Sequence, residues 1–144
     1  MQPVIVPPGV GRDFGSGLLC RVASASTGGA LCAFEVTLAP GEGVPLHVHA
    51  GDDELYSILE GRLHLQCGDQ TFSAEPGAMV FVPRTIPHAF ANRTGTTTRF
   101  LNVFLPGGFD DLVAELQQIA PDDPDAGAKR DAIRARHGVT FLPR

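Results

Sequence analysis

The feature of this chain that most restricts its fold is a succession of short alternating apolar runs, each closed by glycine or proline. In one run Phe34, Val36 and Leu38 would share a face, and the polar residues between them would take the other. This period of two is typical of a half-buried strand. The runs cover residues 18–25, 30–38, 55–59, 62–67, 71–74, 79–82, 88–92 and 97–105. Short strands separated by turn residues predict an all-β antiparallel sandwich or barrel.

The period changes after residue 106. Apolar residues then recur at the spacing of a helix, at Phe109, Leu112, Val113, Leu116 and Ile119. A second helix is predicted to begin with Asp123 as its cap and Pro124 as its first residue. We therefore divide the chain into an N-terminal arm (1–17), a β-barrel (18–106) and a C-terminal helical appendage (107–144). The appendage either covers the outer face of the barrel or forms a dimer contact or a flap over its mouth.

Composition narrows the function classes. The chain has 144 residues, 43% of them hydrophobic, which suits one domain with a real core. Its net charge of −5 argues against a nucleic-acid partner, which requires a basic face. No apolar run reaches the roughly 18 residues of a membrane span, and the first residues lack a secretory signal pattern. The three cysteines do not make a disulfide framework. These features predict a cytoplasmic protein without a membrane or nucleic-acid partner.

One tripeptide, His47-Val48-His49, points to chemistry. In a strand, its two imidazoles would face the same way, about 6–7 Å apart, within reach of a shared metal. Glu54 begins the next strand, and His88 follows much later, after the bend at 83–87. Imidazole and carboxylate ligands suit one divalent transition metal (Fe, Mn, Co, Ni, Cu or Zn) and exclude thiolate-only chemistry. Four such ligands would leave two positions of an octahedral metal for substrate, or for substrate and dioxygen.

The spacing of these residues resembles the two sequence motifs of the cupin superfamily. The first motif matches at Gly41, His47, His49, Glu54 and Gly61, and the second at Gly77, Pro83, His88 and Asn92. Thr85 departs from the pattern because the second motif usually has glycine there, and a turn that needs positive φ would strain it. The resemblance to small single-domain microbial cupins, of the quercetin-dioxygenase-like or polyketide-cyclase-like kind, implies a cupin-type double-stranded β-helix with two C-terminal helices. It also implies that the metal ligands are His47, His49, Glu54 and His88.

The resemblance suggests further roles inside the barrel. In quercetinase-type cupins the matching glutamate is credited with deprotonating the substrate hydroxyl, which makes Glu54 the candidate catalytic base as well as a ligand. The alternative is that Glu54 is a ligand only. Tyr56 and Phe90 each lie two residues after a ligand and should share its face. They are therefore candidate substrate-binding residues, the alternative being ordinary barrel core.

Three functions fit this reading. The first is a metal-dependent dioxygenase acting on a small hydroxylated aromatic or enolisable substrate. The second is a non-oxidative isomerase, lyase or polyketide cyclase, in which Glu54 shuttles a proton beside a Lewis-acid metal. The third is a cupin that binds a small ligand without catalysis. Small cupins are commonly dimers, so we expect a homodimer, with which the arm at 1–17 is consistent.

Overall fold

The structure, a computed structural model, describes residues 1–143. Its strands are β1 (Arg12–Asp13), β2 (Leu18–Val22), β3 (Cys32–Leu38), β4 (Gly43–His49), β5 (Asp53–Glu60), β6 (Leu63–Cys67), β7 (Gln70–Ala74), β8 (Met79–Val82), β9 (His88–Ala91), β10 (Thr98–Leu105) and β11 (Val139–Phe141). Its helices are α1 (Phe109–Leu116) and α2 (Ala126–Arg136), with a short 3-10 helix at Ser24–Thr27. The alternating runs of the sequence thus become strands, and the helical period becomes α1.

The strands form two antiparallel sheets. One has six strands in the order β1-β2-β3-β10-β5-β8, and the other has five in the order β11-β4-β9-β6-β7. From β3 to β6, and again from β7 to β11, each strand lies in the other sheet from the one before it. The chain thus builds a jelly roll with its apolar faces inward. This confirms the predicted all-β double-stranded β-helix with two C-terminal helices.

The core follows the period-two pattern. Buried and partly exposed residues alternate along β3 and along β10. Phe34 and Phe100 from the six-stranded sheet and Leu65 from the five-stranded sheet have no exposed surface. Fully burying side chains of this size contributes about 1.5–3 kcal/mol each, so the core holds together the two sheets that carry the site.

The second helix begins later than the sequence predicts. α2 starts at Ala126 with Asp125 as its cap, so the prediction of Asp123 and Pro124 is wrong. The reason is local: the Asp123 carboxylate accepts the backbone N–H of Asp125 at 2.8 Å and so closes a turn before the helix. Neither helix within residues 1–143 has both the length and the apolar character needed to cross a membrane.

The segment after α2 is a strand of the barrel. β11 pairs antiparallel with β4, with Val139 opposite His49 and Phe141 opposite His47. The helices are joined through Glu115 on α1, which contacts Arg136 at 2.6 Å and His137 at 3.0 Å. The C-terminal segment therefore pairs directly with β4, the strand that carries His47 and His49.

The N-terminal segment is bonded to its own chain. β1 pairs with β2. Arg21 on β2 donates hydrogen bonds to the carbonyl oxygens of Val10 at 2.7 Å and Pro7 at 2.8 Å. Farther along the arm, Met1 and Ile5 are about nine-tenths exposed. The homodimer stays a prediction.

Candidate metal centre

Three strands bring the four predicted ligands together inside the barrel. His47 and His49 lie on β4, and His47 pairs with His88 on the adjacent β9. Glu54 comes from β5 in the opposite sheet. The four residues are buried, and one ligand atom from each lies within 4.8 Å of all the others. This span is close to the roughly 4.2 Å between opposite ligands of one metal with bonds of about 2.1 Å.

Backbone and side-chain acceptors orient the three imidazoles. His47 Nδ1 lies 2.8 Å from the carbonyl oxygen of Pro45, and His88 Nδ1 lies 2.9 Å from that of Ile86. His49 Nδ1 lies 3.3 Å from Asp52 Oδ2. An Nδ1–H that donates to such an acceptor leaves the Nε2 lone pair available for a metal. The strand ends thus present three ligand nitrogens to one point.

Glu54 is held by one of its two oxygens. Its Oε1 accepts hydrogen bonds from the Tyr56 hydroxyl at 3.2 Å and from Asn102 Nδ2 at 3.4 Å. Its Oε2 faces the histidines, 3.6 Å from His49 Nε2 and in close contact with His88 Nε2. The two donors therefore fix the carboxylate with its free oxygen toward the cluster.

Asn102 was not predicted from the sequence as a residue of the site, although its position in the strand pattern indicates one. It lies between Phe100 and Phe104 in the period-two pattern of β10, and it shares their buried face. A polar residue at an inward position needs a hydrogen-bond partner. Here that partner is the carboxylate of the cluster.

The chemistry of the donors fits a metal ion. Within residues 1–143, Glu54 Oε2 and His88 Nε2 are the buried side-chain polar atoms that form no regular hydrogen bond. They face each other in close contact, as two ligand atoms of one ion would. Burial, followed by the neighbouring His88, lowers the pKa of His47 to about 4, so this imidazole is neutral at pH 7. Burial alone would raise the pKa of Glu54, but contact with His88 outweighs it and lowers this pKa. Burial alone would lower the pKa of His88, but the same contact outweighs it and raises this pKa, so a metal would displace a proton held by this pair. Neutral imidazole and carboxylate are the ligand forms, and the group could hold a divalent metal.

The turn before β9 is strained. Thr85 has a φ of 71°, in the left-handed region that is unfavourable for a β-branched residue. Its backbone N–H donates to the carbonyl oxygen of His49 at 2.8 Å. The strain expected from the sequence is confirmed, and it occurs where the turn is tied to a ligand-bearing strand.

The cluster opens onto a cavity of about 590 Å³, a size that suits a small organic molecule. His47, His49 and Glu54 form part of its wall. Most of the remaining wall is apolar and comes from β3, β10, α1 and β11, including Phe34, Val36, Leu38, Phe104, Phe109, Leu112, Val113, Leu116, Val139 and Phe141. The helix α1 thus closes one side of the cavity.

The two predicted substrate-binding residues occupy different positions. Phe90 lines the cavity. Tyr56 has no exposed surface, and its ring packs 5.9 Å from that of Phe90 and 5.6 Å from that of Phe100. Tyr56 therefore lies behind the wall, against Glu54. Substrate contact by either residue stays a prediction.

Three comparisons relate this chain to known proteins. No curated protein is significantly similar to it. Among solved structures, a predicted oxalate decarboxylase from Thermotoga maritima is 23% identical, with a TM-score of 0.59 over 62% of this chain and 78% of that one. TT1209 from Thermus thermophilus is 24% identical, with a TM-score of 0.57 over 66% of this chain and 90% of that one. KdgF from Halomonas is 17% identical, with a TM-score of 0.59 over 69% of this chain and 90% of that one.

These three structures have the same fold as this chain. The family assignment comes from a match between the sequence and a family model. The family model of the cupin domain matches residues 34–104. That range contains all four residues of the cluster, together with the strands that position them. The chain belongs to the cupin superfamily.

Proposed function

We propose that this protein is a metal-dependent dioxygenase that acts on a small hydroxylated aromatic or enolisable substrate. One observation carries the proposal: a cluster of three histidines and a glutamate opens directly onto a largely apolar cavity of about 590 Å³. The cavity suits an apolar ring, and the cluster suits an oxygen substituent on that ring. His47, His49, Glu54 and His88 would hold one divalent transition metal.

Glu54 is the residue that would move a proton. Glu54 belongs to the cluster and also lines the cavity, where a substrate hydroxyl could come within hydrogen-bond reach of its carboxylate. Tyr56 and Asn102 hold Oε1, so the carboxylate cannot rotate away without losing both bonds. The phenylalanine-rich wall would leave little room for water around a bound substrate, which would strengthen electrostatic interactions at the cluster.

A bound metal would supply Lewis-acid and redox chemistry to the substrate oxygen. The chain's own contribution would be to position that oxygen, take its proton and surround the substrate with apolar side chains. The non-oxidative isomerase, lyase or cyclase of our second hypothesis would use Glu54 in the same way, but without dioxygen. Oxygen dependence therefore separates the two.

Metal content is the first test. We expect about one equivalent of a divalent transition metal in the purified protein, with loss of that metal in the His47→Ala/His49→Ala double variant. His64→Ala is the matched control, because His64 is a partly exposed residue between two inward leucines of β6. No metal in the wild type after incubation with each candidate ion would overturn the metalloenzyme.

Oxygen uptake is the second test. Quercetin, catechol and acetylacetone are supplied to the metal-loaded protein in an oxygen electrode, with Glu54→Gln as the variant without a base. Oxygen uptake that needs both the metal and Glu54 would support the dioxygenase. Turnover that proceeds equally well under nitrogen would replace it with the non-oxidative enzyme. Binding of these molecules without turnover in either gas would favour a ligand-binding cupin.

A further inference from the structure

The cavity beside the cluster contains a cationic side chain that the proposed chemistry does not use. Arg134 lies on α2 and is the one lysine or arginine among the lining residues of the described chain. Two carboxylates also line the cavity. Glu54 belongs to the cluster, and Glu42 accepts the backbone N–H of Ala39 at 2.8 Å. Arg134 is therefore the candidate for a specific role in binding.

The guanidinium of Arg134 lacks a strong protein partner. Its Cζ lies 4.8 Å from the centre of the Phe141 ring. Within residues 1–143 its nearest carboxylate is that of Asp131, with Nη1 and Oδ1 separated by 3.7 Å, beyond a hydrogen bond. The Arg134 side chain is 28% exposed. A guanidinium that stacks on an aromatic ring keeps its planar edge free for a bidentate acceptor.

Phe141 connects this guanidinium to the cluster. Its ring lies on β11, with its centre 5.6 Å from that of His47. Arg134 and His47 thus contact the same aromatic ring. These two distances limit the separation between Arg134 Cζ and the centre of the His47 ring to about 10 Å, which is comparable to the length of two fused rings with a carboxyl group.

The wall near these groups accepts an apolar body. The rings of Phe104 and Phe109 stack, with centres 4.1 Å apart and an interplanar angle of 11°. Leu112 and Val113 extend this surface along α1. Such a surface offers contact area but few hydrogen bonds, so a ligand's polar ends must be satisfied at the cluster and at Arg134.

We infer that the substrate is an aromatic carboxylate whose carboxyl group pairs with Arg134 while its reacting oxygen lies at the cluster. A carboxylate matches the planar fork of arginine with two parallel charge-assisted hydrogen bonds. The inference rests on the proposed function, because it takes this cavity to be the substrate site. It assigns recognition of the acid to the C-terminal segment, outside the residues that match the cupin domain.

A matched pair of probes tests this inference. 2-Naphthoate carries the carboxylate, and 2-naphthylmethanol is its neutral counterpart of similar size. Dissociation constants of both are measured by calorimetry for the wild type and for Arg134→Gln, Arg134→Lys and Arg130→Gln. Arg130 is exposed on the same helix and is the control. Each protein is studied with and without bound zinc, and circular dichroism checks its folding.

We expect Arg134→Gln to weaken naphthoate binding at least tenfold and to change alcohol binding less than twofold. The affinity of Arg134→Lys for naphthoate should lie between those of the wild type and Arg134→Gln. The affinity of Arg130→Gln should equal that of the wild type. Equal losses for both probes would overturn the inference, because Arg134 would then only shape the wall. Naphthoate binding that requires zinc but not Arg134 would also overturn it, since the acid would then bind the metal.

The two proposals fail separately. Charge discrimination by Arg134 that persists in the metal-free protein supports the anion site whether or not the protein proves to be an oxygenase. Failure of 2-naphthoate to bind the wild type would overturn the anion site and leave the metal-content test unaffected.

Discussion

The hydroxyl of Tyr56 is predicted to set the metal affinity of a site that it does not ligate. Tyr56→Phe removes one oxygen atom from a fully buried ring and leaves its packing against Phe90 and Phe100 in place. The lost interaction is the 3.2 Å hydrogen bond to Glu54 Oε1. Asn102, at 3.4 Å, then becomes the remaining side-chain donor to this oxygen among the described residues.

The magnitude follows from the length and charge of this bond. A hydrogen bond to a charged acceptor contributes about 1.5–3 kcal/mol, and a length of 3.2 Å favours the lower end. A loss of about 1.5 kcal/mol corresponds to a roughly tenfold weaker metal affinity, within the 10–100-fold range typical of outer contacts to metal ligands. The metal-free protein should lose less free energy of unfolding than this, because its carboxylate can turn to another partner once the hydroxyl is gone. An equal loss in the metal-free and metal-bound forms would leave the affinity unchanged.

Competition with a chromophoric zinc chelator measures the affinity, and urea denaturation of the metal-free protein measures the stability. Asn102→Leu should have a comparable or smaller effect on affinity. The double variant should exceed either single variant, because both donors act on the same oxygen. A metal affinity within twofold of wild type for Tyr56→Phe would refute the view that these hydrogen bonds hold the carboxylate in place.

Four shorter predictions follow from other contacts. Asp52 contacts Nδ1 of the ligand His49, so Asp52→Asn should weaken metal binding about tenfold. Asp53 pairs with Arg84 instead, so Asp53→Asn should leave metal binding unchanged. Equal effects of the two variants in a metal titration would contradict this. Thr85→Gly should stabilise the protein by about 1 kcal/mol by relieving its positive φ, seen as a Tm raised by roughly 2–4 °C; a lower Tm would contradict this. Burial raises the pKa of Cys20 to about 12, so iodoacetamide at pH 8 should modify this thiol only after unfolding. The homodimer is tested by light scattering of the full chain and of a chain lacking residues 1–11; the mass of a single chain for the full-length protein would contradict it.

The parts of the molecule that the sequence predicted depend on local patterns. The period of two fixed the strand character of β3 and β10, and the His-x-His spacing placed two imidazoles on one face of β4. Glycines at Gly41, Gly61 and Gly77 marked turns, where each now has a positive φ. These features need only a few neighbouring residues, so a single sequence contains them.

The parts that were missed depend on contacts between distant residues. The first long run was expected to reach residue 25 but becomes a 3-10 helix from Ser24, whose backbone N–H donates to Asp110 at 2.9 Å. The short apolar tail at 139–142 gave no hint that it pairs with β4. Arg134 was not among the candidate residues, because its position in the cavity wall depends on that pairing. Tertiary contacts of this kind override local propensity.

The pairing of β11 with β4 has a consequence for the order in which the site forms. Residues 47–49 leave the ribosome long before residues 139–141, so β4 is an open sheet edge during most of synthesis. Contacts between such distant segments form late, because the closure of a long loop must precede them. A nascent chain thus presents two histidines on an unprotected edge. A metal held by the cluster would link this last step of folding to metal binding. Chains kept without metal should then have a final strand that is more accessible to proteases.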